Sequence, residues 1–452
     1  MASSNVDTEA NGFVSVEQID DVWWFTGPDG ESFVTLGVNH LELHPWLTPY
    51  NQEETLDRYG EDMVTFDSFN PYGDAAKRWV QNIIDLSKDL GFNSFGKHVH
   101  VQIPDDYYTD DIYYVKTMSS LATRYAPVAW YKQKFEYGPF PDPFSNEFKR
   151  KLAFRVEEMC REHRSEENLL GYYLEDLTWW QLREDEQQEY DEDVFIYPWV
   201  HSLVQRDPDA AGKQRWIEIL RDRYDSAADA AEVYGLDAQS WDELAKTTDW
   251  FDPEDPERAR EDCLDLNKDI AEKWYGLHHD YIREHDENHL ILGDKQNFVP
   301  EWLMPILGKY VDVNVIQKYE PFEAHREMVE KLYEVTGNPV MNGDGSFSTI
   351  RPEQTEHGCK GYHFDTEEEV AEAHREYVRD IMAEPYMLGW HVCGIMEQWD
   401  EAPRGDITTS ETGFLDPFEN EYEPLTDAIE EANSQAEQWH RAAASDGGGS
   451  DD

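Results

Sequence analysis

The stretch that decides the fold is "LLGYYLEDLTWW", residues 169–180, in which an apolar run ends in two acids followed by two indoles. The run 169–174 is typical of a buried strand. Glu175 and Asp176 follow it directly, and Trp179 and Trp180 come soon after. In parallel α/β proteins the functional groups lie at the carboxyl ends of the strands. The stretch therefore predicts a parallel sheet with a site where this strand ends.

Strand-like segments alternate with amphipathic helical segments along most of the chain. Besides 169–174, the predicted strands are 32–39, 93–101, 125–131, 289–294, 311–317, 338–344 and 386–393. Helical spacing of apolar residues predicts helices at 74–93, 145–164, 262–284, 300–309, 321–336, 366–384 and 424–441. Eight strands alternating with helices predict an α/β fold, a closed (β/α)8 TIM barrel. No glycine-rich phosphate loop follows the first strand, which disfavours a doubly wound dinucleotide-binding sheet.

The predicted organisation is one barrel domain over residues 13–441, since a barrel of this kind can take up most of a 452-residue chain. Residues 181–261 are rich in Asp, Glu, Gln and Ala and predict an acidic helical insertion after strand four. We expect this insertion to shape a wall of the cleft or a contact in a homo-oligomer. The ends, 1–12 and 442–452, are small and polar and are predicted to be disordered.

The charge is strongly acidic, with 97 acidic against 38 basic residues and a formal net charge of -59. High charge favours disorder, but 16 Trp, 25 Tyr and 20 Phe are enough to build a core. We therefore interpret the chain as a folded, halophilic protein. Near 1 M salt the Debye length falls to about 3 Å, which screens the self-repulsion. Nucleic acid is excluded as a partner, because an acidic surface repels phosphates.

Cysteine spacing and hydropathy indicate the cellular compartment of the protein. The four cysteines are far apart and form no CxxC pair, which disfavours zinc and redox motifs. The sequence starts without a basic and apolar export signal, and no apolar segment approaches the ~20 residues that cross a bilayer. We expect a cytoplasmic protein with reduced thiols and no membrane partner.

Polar groups follow seven of the eight predicted strands, and several aromatic residues lie beside them. A sugar presents hydroxyls at its rim and apolar C–H faces, so amides, imidazoles and carboxylates bind the rim while indoles stack on the faces. The predicted sugar-binding residues are Asn39, His40, His98, His100, Trp179, Trp180, Gln317, Tyr319, His391, Glu397 and Trp399.

Two carboxylates are needed to cleave a glycosidic bond, and strands four and seven supply candidates. Asp176 or Glu175 would donate the proton, and Asp344 would act as nucleophile or base. A retaining enzyme needs its carboxyl groups about 5–5.5 Å apart, and an inverting enzyme needs about 6.5–9.5 Å. The simpler interpretations are a solvated strand end for Glu175 and Asp176 and a turn residue for Asp344, which lies in "NGDGS".

The order of several motifs resembles that in retaining glycoside hydrolase barrels, most closely the β-agarase-like proteins of glycoside hydrolase family 50. These motifs are "SFVTLGVNHLE", "LGFNSFGKH", "LLGYYLEDLTWW", "NPVMNGDGSF", "GWHVCGIMEQWDE" and "FENEYEPLTDAIEEAN". The resemblance implies a TIM barrel that hydrolyses β-linked, galactose-containing, agarose-like oligo- or polysaccharide without a cofactor.

The catalytic motifs differ from the pattern of that family. Its members usually carry Asn-Glu after strand four and a Glu after a Gly late in strand seven. Here Glu175-Asp176 and Asp344 stand instead, and an Asp is one methylene shorter than a Glu. These differences leave four outcomes open: retention, inversion, a different reaction and loss of catalysis.

Two further functions remain as alternatives. The altered acids are compatible with a sugar-binding barrel that no longer cleaves its ligand. The His98-x-His100 pair, with His391 and either Asp294 or Asp400, is compatible with a metal-dependent hydrolase.

Overall fold

The computed structural model describes residues 12–66, 68–99, 102–118, 140–175, 180–181, 196–349, 362–399 and 412–446. The strands are β1 Ser15–Ile19, β2 Val22–Thr26, β3 Ser32–Phe33, β4 Thr35–Val38, β5 Val64–Thr65, β6 Ser68–Phe69, β7 Ser94–Phe95, β8 Tyr113–Thr117, β9 Leu169–Tyr173, β10 Ile291–Gly293, β11 Lys295–Gln296, β12 Asn314–Gln317, β13 Val340–Gly345, β14 Phe347–Thr349, β15 Tyr362–Phe364 and β16 Met387–Val392. The α-helices of the described residues are α1 Gln52–Tyr59, α2 Asp74–Asp89, α3 Asn146–His163, α4 Pro198–Val204, α5 Ala211–Arg223, α6 Ala227–Val233, α7 Trp241–Lys246, α8 Pro256–His285, α9 Met304–Tyr310, α10 Arg326–Thr336, α11 Glu367–Met382 and α12 Glu423–Asp446.

The central sheet is a nearly closed parallel barrel. Its strand order is β10-β9-β8-β7-β4-β16-β13-β12-β11. The two ends of this sheet, β10 and β11, are consecutive pieces of one passage of the chain, interrupted only at Asp294. Because β10 and β11 together form one barrel strand, the nine segments correspond to eight strands, and the predicted parallel β/α barrel is confirmed.

The barrel is filled by apolar side chains and closed at its amino-terminal end. Side chains from successive strands, such as Val115, Leu170, Leu292 and Val315, form one buried cluster. Phe25 of β2 and Phe33 of β3 belong to the same cluster. Because β3 leads directly into β4, the antiparallel sheet β1-β2-β3 covers the end of the barrel opposite the candidate site.

Amphipathic helices cover the outside of the barrel, as helix α2 illustrates. Trp79, Val80, Ile83 and Ile84 are buried, which is the spacing that places side chains on one helix face. The helix ends at Asp89 and is followed by Gly91 with φ +78°. A left-handed glycine after the last turn is a common helix stop, so the predicted helix over 74–93 is confirmed with a slightly earlier end.

The third barrel strand differs from the prediction. It is β8, Tyr113–Thr117, which pairs with β7 and β9. The segment predicted for this position, 125–131, lies outside the described residues. Among the described residues between β7 and β8, the only helical segment is the 3-10 turn Asp105–Tyr107. The prediction assumed that a full helix separates consecutive parallel strands, and it therefore missed this strand.

In the described part of the chain, four helices, α4 to α7, lie between β9 and α8. Trp216 of α5 is buried, and its ring meets that of Trp250, in the segment after α7, edge to face at 5.5 Å. Residues 182–195, the first part of the predicted acidic insertion, lie outside the described residues. At the other end of the chain, α12 continues to Asp446, five residues beyond the predicted end of the closing helix.

Candidate active site

The Asp344 carboxylate, near the end of β13, is the centre of a buried polar cluster. Its Oδ2 accepts hydrogen bonds from Lys295 Nζ at 2.5 Å and Gln317 Nε2 at 2.9 Å. Its Oδ1 accepts from Asn39 Nδ2 at 3.1 Å and Tyr319 OH at 3.1 Å. The donors come from the ends of three other strand passages, so the closure of the barrel brings four strand ends to one carboxylate.

Backbone irregularities turn Asp344 and Lys295 into the site. Asn342 points outward, where its Nδ2 donates to Tyr377 OH on α11, and simple alternation would send Asp344 the same way. The pairing of β13 with β16 shifts register between Asn342 and Gly345, and a bulge of this kind re-aims the side chains that follow it.

A comparable reversal occurs between β10 and β11. Leu292 faces the barrel interior, so alternation predicts that Asp294 also faces inward. Gly293 adopts φ +69°, and the faces exchange. Asp294 accepts bonds from Trp274 Nε1 and Tyr275 OH on α8, while Lys295 points toward Asp344.

Asn39 is fixed by its neighbours as well as by Asp344. Its Nδ2 also donates to the Gly343 carbonyl at 2.9 Å, and its Oδ1 accepts from the Lys97 backbone N–H at 2.8 Å. A Cβ added at Gly96 would lie 2.0 Å from Asn39 Oδ1. Glycine at 96 is therefore what leaves room for the Asn39 amide.

Tyr319 stays a protonated donor. Burial, followed by the Asp344 carboxylate, raises the pKa of Tyr319 well above its usual value. The phenol therefore keeps its proton across the working pH range and donates it to Oδ1.

His40 and His98 form a second part of the site, beside the ends of β4 and β7. Their rings stack with centroids 4.5 Å apart and planes 17° apart, and His40 Nδ1 lies 3.1 Å from Glu42 Oε2. Both histidines have positive φ values, 64° and 68°. Non-glycine residues hold that conformation mainly where the surrounding structure fixes them, which is common at functional sites.

A cavity of about 480 Å³ adjoins these side chains and is lined by Glu42, Lys97 and His98 on one side. Lys116 of β8 and Arg155 of α3 line the other side. The volume lies within the usual range for small-molecule sites.

His391 does not reach this opening, in contrast to the prediction that it binds sugar. Its side chain is fully buried, and Nε2 lies 2.9 Å from Thr35 Oγ1 and 3.3 Å from Ser94 Oγ. Burial lowers the pKa of His391 to about 3, so the ring is neutral. It supports the floor beneath Asn39, because both side chains lie against Gly96.

Trp180 also differs from its predicted role as a stacking platform. It is 1% exposed, stacks on Trp199 at 4.9 Å and donates from Nε1 to Tyr275 OH. Trp199 covers one face of its ring, and no face is open to a sugar. Burial against other indoles is the commoner use of tryptophan in a large domain.

The remaining predicted residues are placed as follows. Glu175 is 2% exposed at the end of β9, and its carbonyl accepts from the Lys295 N–H at 3.3 Å. Glu397 accepts a bond from Tyr422, in the segment before α12. Trp399 is half-buried against Tyr50. Outside the described residues lie Asp176, Trp179 and His100.

Of the metal ligands suggested by the sequence, those that the structure describes do not lie together. His391 lies in the floor of the barrel, and Asp294 faces α8. His100 and Asp400 lie outside the described residues. A different trio, His40, Glu42 and His98, has potential ligand atoms within 4.8 Å of one another.

Lys295 is the residue of the site that sequence reasoning missed. Its position at the end of the fifth strand was visible, but a lysine is neither a catalytic acid nor a typical sugar-rim ligand. The signal that would have found it is Gly293, because a glycine inside a strand often marks a bulge that exchanges the two faces.

The fold and the site together define a parallel β/α barrel with a buried carboxylate, held by four donors, at the carboxyl ends of its strands. No family model matches the sequence. The chain is similar to "Beta-agarase B" of Vibrio sp. (strain JT0107), at 20% identity over 94% of this chain and 48% of that protein. The chain thus spans about half the length of this curated relative.

Solved agarase structures share the fold. The agarase AgWH50C superposes with a TM-score of 0.74 at 16% identity, over 97% of this chain and 66% of the other. An exo-beta-agarase gives a TM-score of 0.76, with the same identity and coverage. Another solved structure, that of PfGH50B, gives 0.74, covering 97% of this chain and 68% of the other. Among the helices of the described residues, none is long and apolar enough to cross a membrane.

Proposed function

We propose that the chain is a glycoside hydrolase that cleaves β-linked, galactose-containing, agarose-like oligo- or polysaccharide. The observation that carries the proposal is the position of Asp344. It lies at the strand-seven end, where the resemblance to family 50 implies the nucleophile, and four donors hold it there. The similarity to "Beta-agarase B" and the fold shared with solved agarases support the same class of substrate.

In this mechanism Asp344 acts as nucleophile or as base, and Asp176 or Glu175 acts as acid. As the bond between the anomeric carbon and the leaving oxygen breaks, its electron pair goes to that oxygen, which takes the proton of the acid. His40 and His98, whose stacked rings lie beside the cavity, would bind the hydroxyl groups of the sugar. His100, Trp179 and Trp399 are proposed as further sugar-binding residues.

The two shortened acids bear on the stereochemical course. With Asp176 as the acid, an Asp stands in place of a Glu on each side and both carboxyl groups are withdrawn, which favours the wider separation that admits a water molecule. We propose that the altered motifs therefore favour inversion. Proton NMR of the first-formed product measures its anomeric configuration, and retention would contradict this part of the proposal.

Asp344→Asn tests the function. It keeps the size of the side chain and removes its charge, so we expect hydrolysis of agaro-oligosaccharides and aryl β-galactosides to fall at least about 10³-fold. Asp89→Asn, on the exposed end of α2, is the matched control and should retain full activity. Unchanged hydrolysis by a folded Asp344→Asn variant would remove Asp344 from the mechanism.

A non-catalytic sugar-binding barrel is the second candidate, and one observation favours it. A carboxylate has about four acceptor positions, and those of Asp344 receive four donors. This function predicts saturable binding of agaro-oligosaccharides in calorimetry with no products after long incubation. Hydrolysis that copurifies with the protein and disappears in Asp344→Asn would refute it.

We also propose that the protein works at high salt, in the cytoplasm of a halophilic organism. A formal charge of -59 on 452 residues repels itself strongly in dilute buffer, and salt screens that repulsion. The midpoint of thermal unfolding should rise steeply between 0.1 M and 2 M KCl. A midpoint independent of KCl would contradict this proposal.

A further inference from the structure

We propose that Lys295 is a positioning residue that holds Oδ2 of Asp344 and leaves Oδ1 as the oxygen that reacts. This inference rests on the proposed function and deepens it, because it assigns the reacting atom and the residue that selects it. Neither the resemblance to family 50 nor the pattern of strand ends implies a role for a lysine here.

The two carboxylate oxygens of Asp344 are held unequally. Oδ2 receives the charged Lys295 ammonium at 2.5 Å and the Gln317 amide at 2.9 Å. Oδ1 receives two neutral donors, both at 3.1 Å. Charge-assisted hydrogen bonds are shorter and about twice as strong as neutral ones. A reacting oxygen must give up a lone pair, and Oδ1 gives one up at the lower cost.

Lys295 also connects the two strands that supply the proposed acids. Its backbone N–H donates to the carbonyl of Glu175 at 3.3 Å, and its side chain binds Asp344. One residue thus fixes the end of strand four relative to the carboxylate of strand seven. A displacement of Lys295 would change the separation on which the reaction depends.

In the reaction, an electron pair on Oδ1 either forms the bond to the anomeric carbon or takes the proton of the attacking water. The glycosidic bond breaks in the same step, and the leaving oxygen takes its proton from Glu175 or Asp176. Lys295 transfers nothing. Its ammonium keeps the carboxylate ionised at a site where an isolated buried charge would be unfavourable.

The test compares Lys295→Met with Lys309→Met. Both lysines bind a carboxylate, but Lys309 lies at the surface, paired with Glu272, and its side chain is 55% exposed. For Lys295→Met we expect kcat to fall by about 10²-fold or more, with KM changed less than about 3-fold, because the lost contact acts on the reacting group. Lys309→Met should match the parent in both constants.

The pH profile separates this role from a purely structural one. Without the ammonium, the buried carboxylate holds a proton to a higher pH, so the acid limb of the kcat/KM profile should move up by more than about one pH unit. Lys295→Arg keeps the charge with a wider head group and should keep the parental acid limb, at a lower kcat. It also carries the test if Lys295→Met does not fold.

A parental kcat and acid limb in folded Lys295→Met would overturn the inference, as would an acid limb in Lys295→Arg that moves as far as in Lys295→Met. If the parent itself hydrolyses nothing, the proposed function fails first. Carbon-13 NMR of the Asp carboxyl groups, with Asp344→Asn to assign the signal, then still measures whether Lys295→Met protonates Asp344 at neutral pH. An unchanged signal would refute the inference independently of turnover.

Discussion

Asp262, on the long helix α8, is a carboxylate with no exposed surface, two hydrogen-bond donors and an ion-pair partner. Its Oδ2 accepts from Tyr224 and Tyr234, both at 2.7 Å, and its Oδ1 lies 2.9 Å from Arg223 Nη1. The two tyrosines follow α5 and α6, so this one side chain ties the helices between β9 and α8 to the layer around the barrel.

Asp262→Ala should lower the free energy of unfolding by about 2–4 kcal/mol, because it leaves the hydroxyl groups of Tyr224 and Tyr234 without their buried acceptor. Chemical denaturation monitored by tryptophan fluorescence measures the change. Asp265→Ala is the control, since Asp265 also pairs with Arg223 but is 42% exposed, and it should cost at most about 1 kcal/mol. Equal losses in the two variants would contradict this account.

The sequence around a single tryptophan does not reveal whether its ring is buried or free to stack on a sugar. Trp180 and Trp399 are equally plausible as stacking platforms from their positions after strands. Only packing distinguishes them, because Trp180 meets Trp199 and Tyr275, whereas Trp399 stays half-buried beside Tyr50.

At the scale of the element, Gly293 decides which residues of the fifth strand passage enter the site. Its φ of +69° exchanges the inward and outward faces, and a Cβ there would also lie 2.9 Å from Val311 Cγ1. A side chain at this position favours ordinary strand geometry, which would turn Asp294 inward and Lys295 outward.

Gly293→Ala should therefore lower stability by about 1–3 kcal/mol and reduce hydrolysis by at least about 10-fold. Gly276→Ala on α8 is the matched control. Its added Cβ would meet the Tyr310 ring at ordinary distances of 3.4–3.6 Å, and alanine is the better helix former by about 1 kcal/mol. Denaturation midpoints and initial rates measure both effects. Full activity in Gly293→Ala would argue against the exchange of faces.

Most elements could be predicted from the sequence, because buried strands and amphipathic helices carry strong periodic signals. Helix α2 and strand β9 lie where their patterns placed them. Strand β8 does not, since no full helix among the described residues separates it from β7. A rule based on alternation fails where the connection is irregular.

For the whole molecule, buried neutral histidines predict acid sensitivity. Burial lowers the pKa of His163, His201 and His278 to about 4 and of His325, His374 and His391 to about 3. Between these values and about 6.5 the unfolded chain binds protons that the folded chain does not, so stability falls as the pH falls through this window.

His374→Phe isolates one of these contributions. His374 is 3% exposed, packs on Trp390 with ring centroids 4.9 Å apart, and its Nε2 has no hydrogen-bond partner among the residues that the structure describes. The variant should lose less stability than the parent between pH 6.5 and 4.5, by about 1 kcal/mol per pH unit. His279→Phe, at a 33% exposed site, should leave the slope unchanged. Urea titrations at several pH values measure the slopes, and identical slopes for parent and His374→Phe would contradict the prediction.

The sequence by itself determined the parallel barrel, because hydrophobic periodicity fixes which segments are strands and helices, and strand order restricts the topology. It also placed Asn39, Gln317, Tyr319 and Asp344 at strand ends, where the structure brings them together. Only the tertiary structure decided that Lys295 joins them, while His391 and Trp180 are buried away from the opening. The physical reason is that bulges and a left-handed glycine reverse the two-residue alternation of a strand, and barrel closure then sets which strand ends meet.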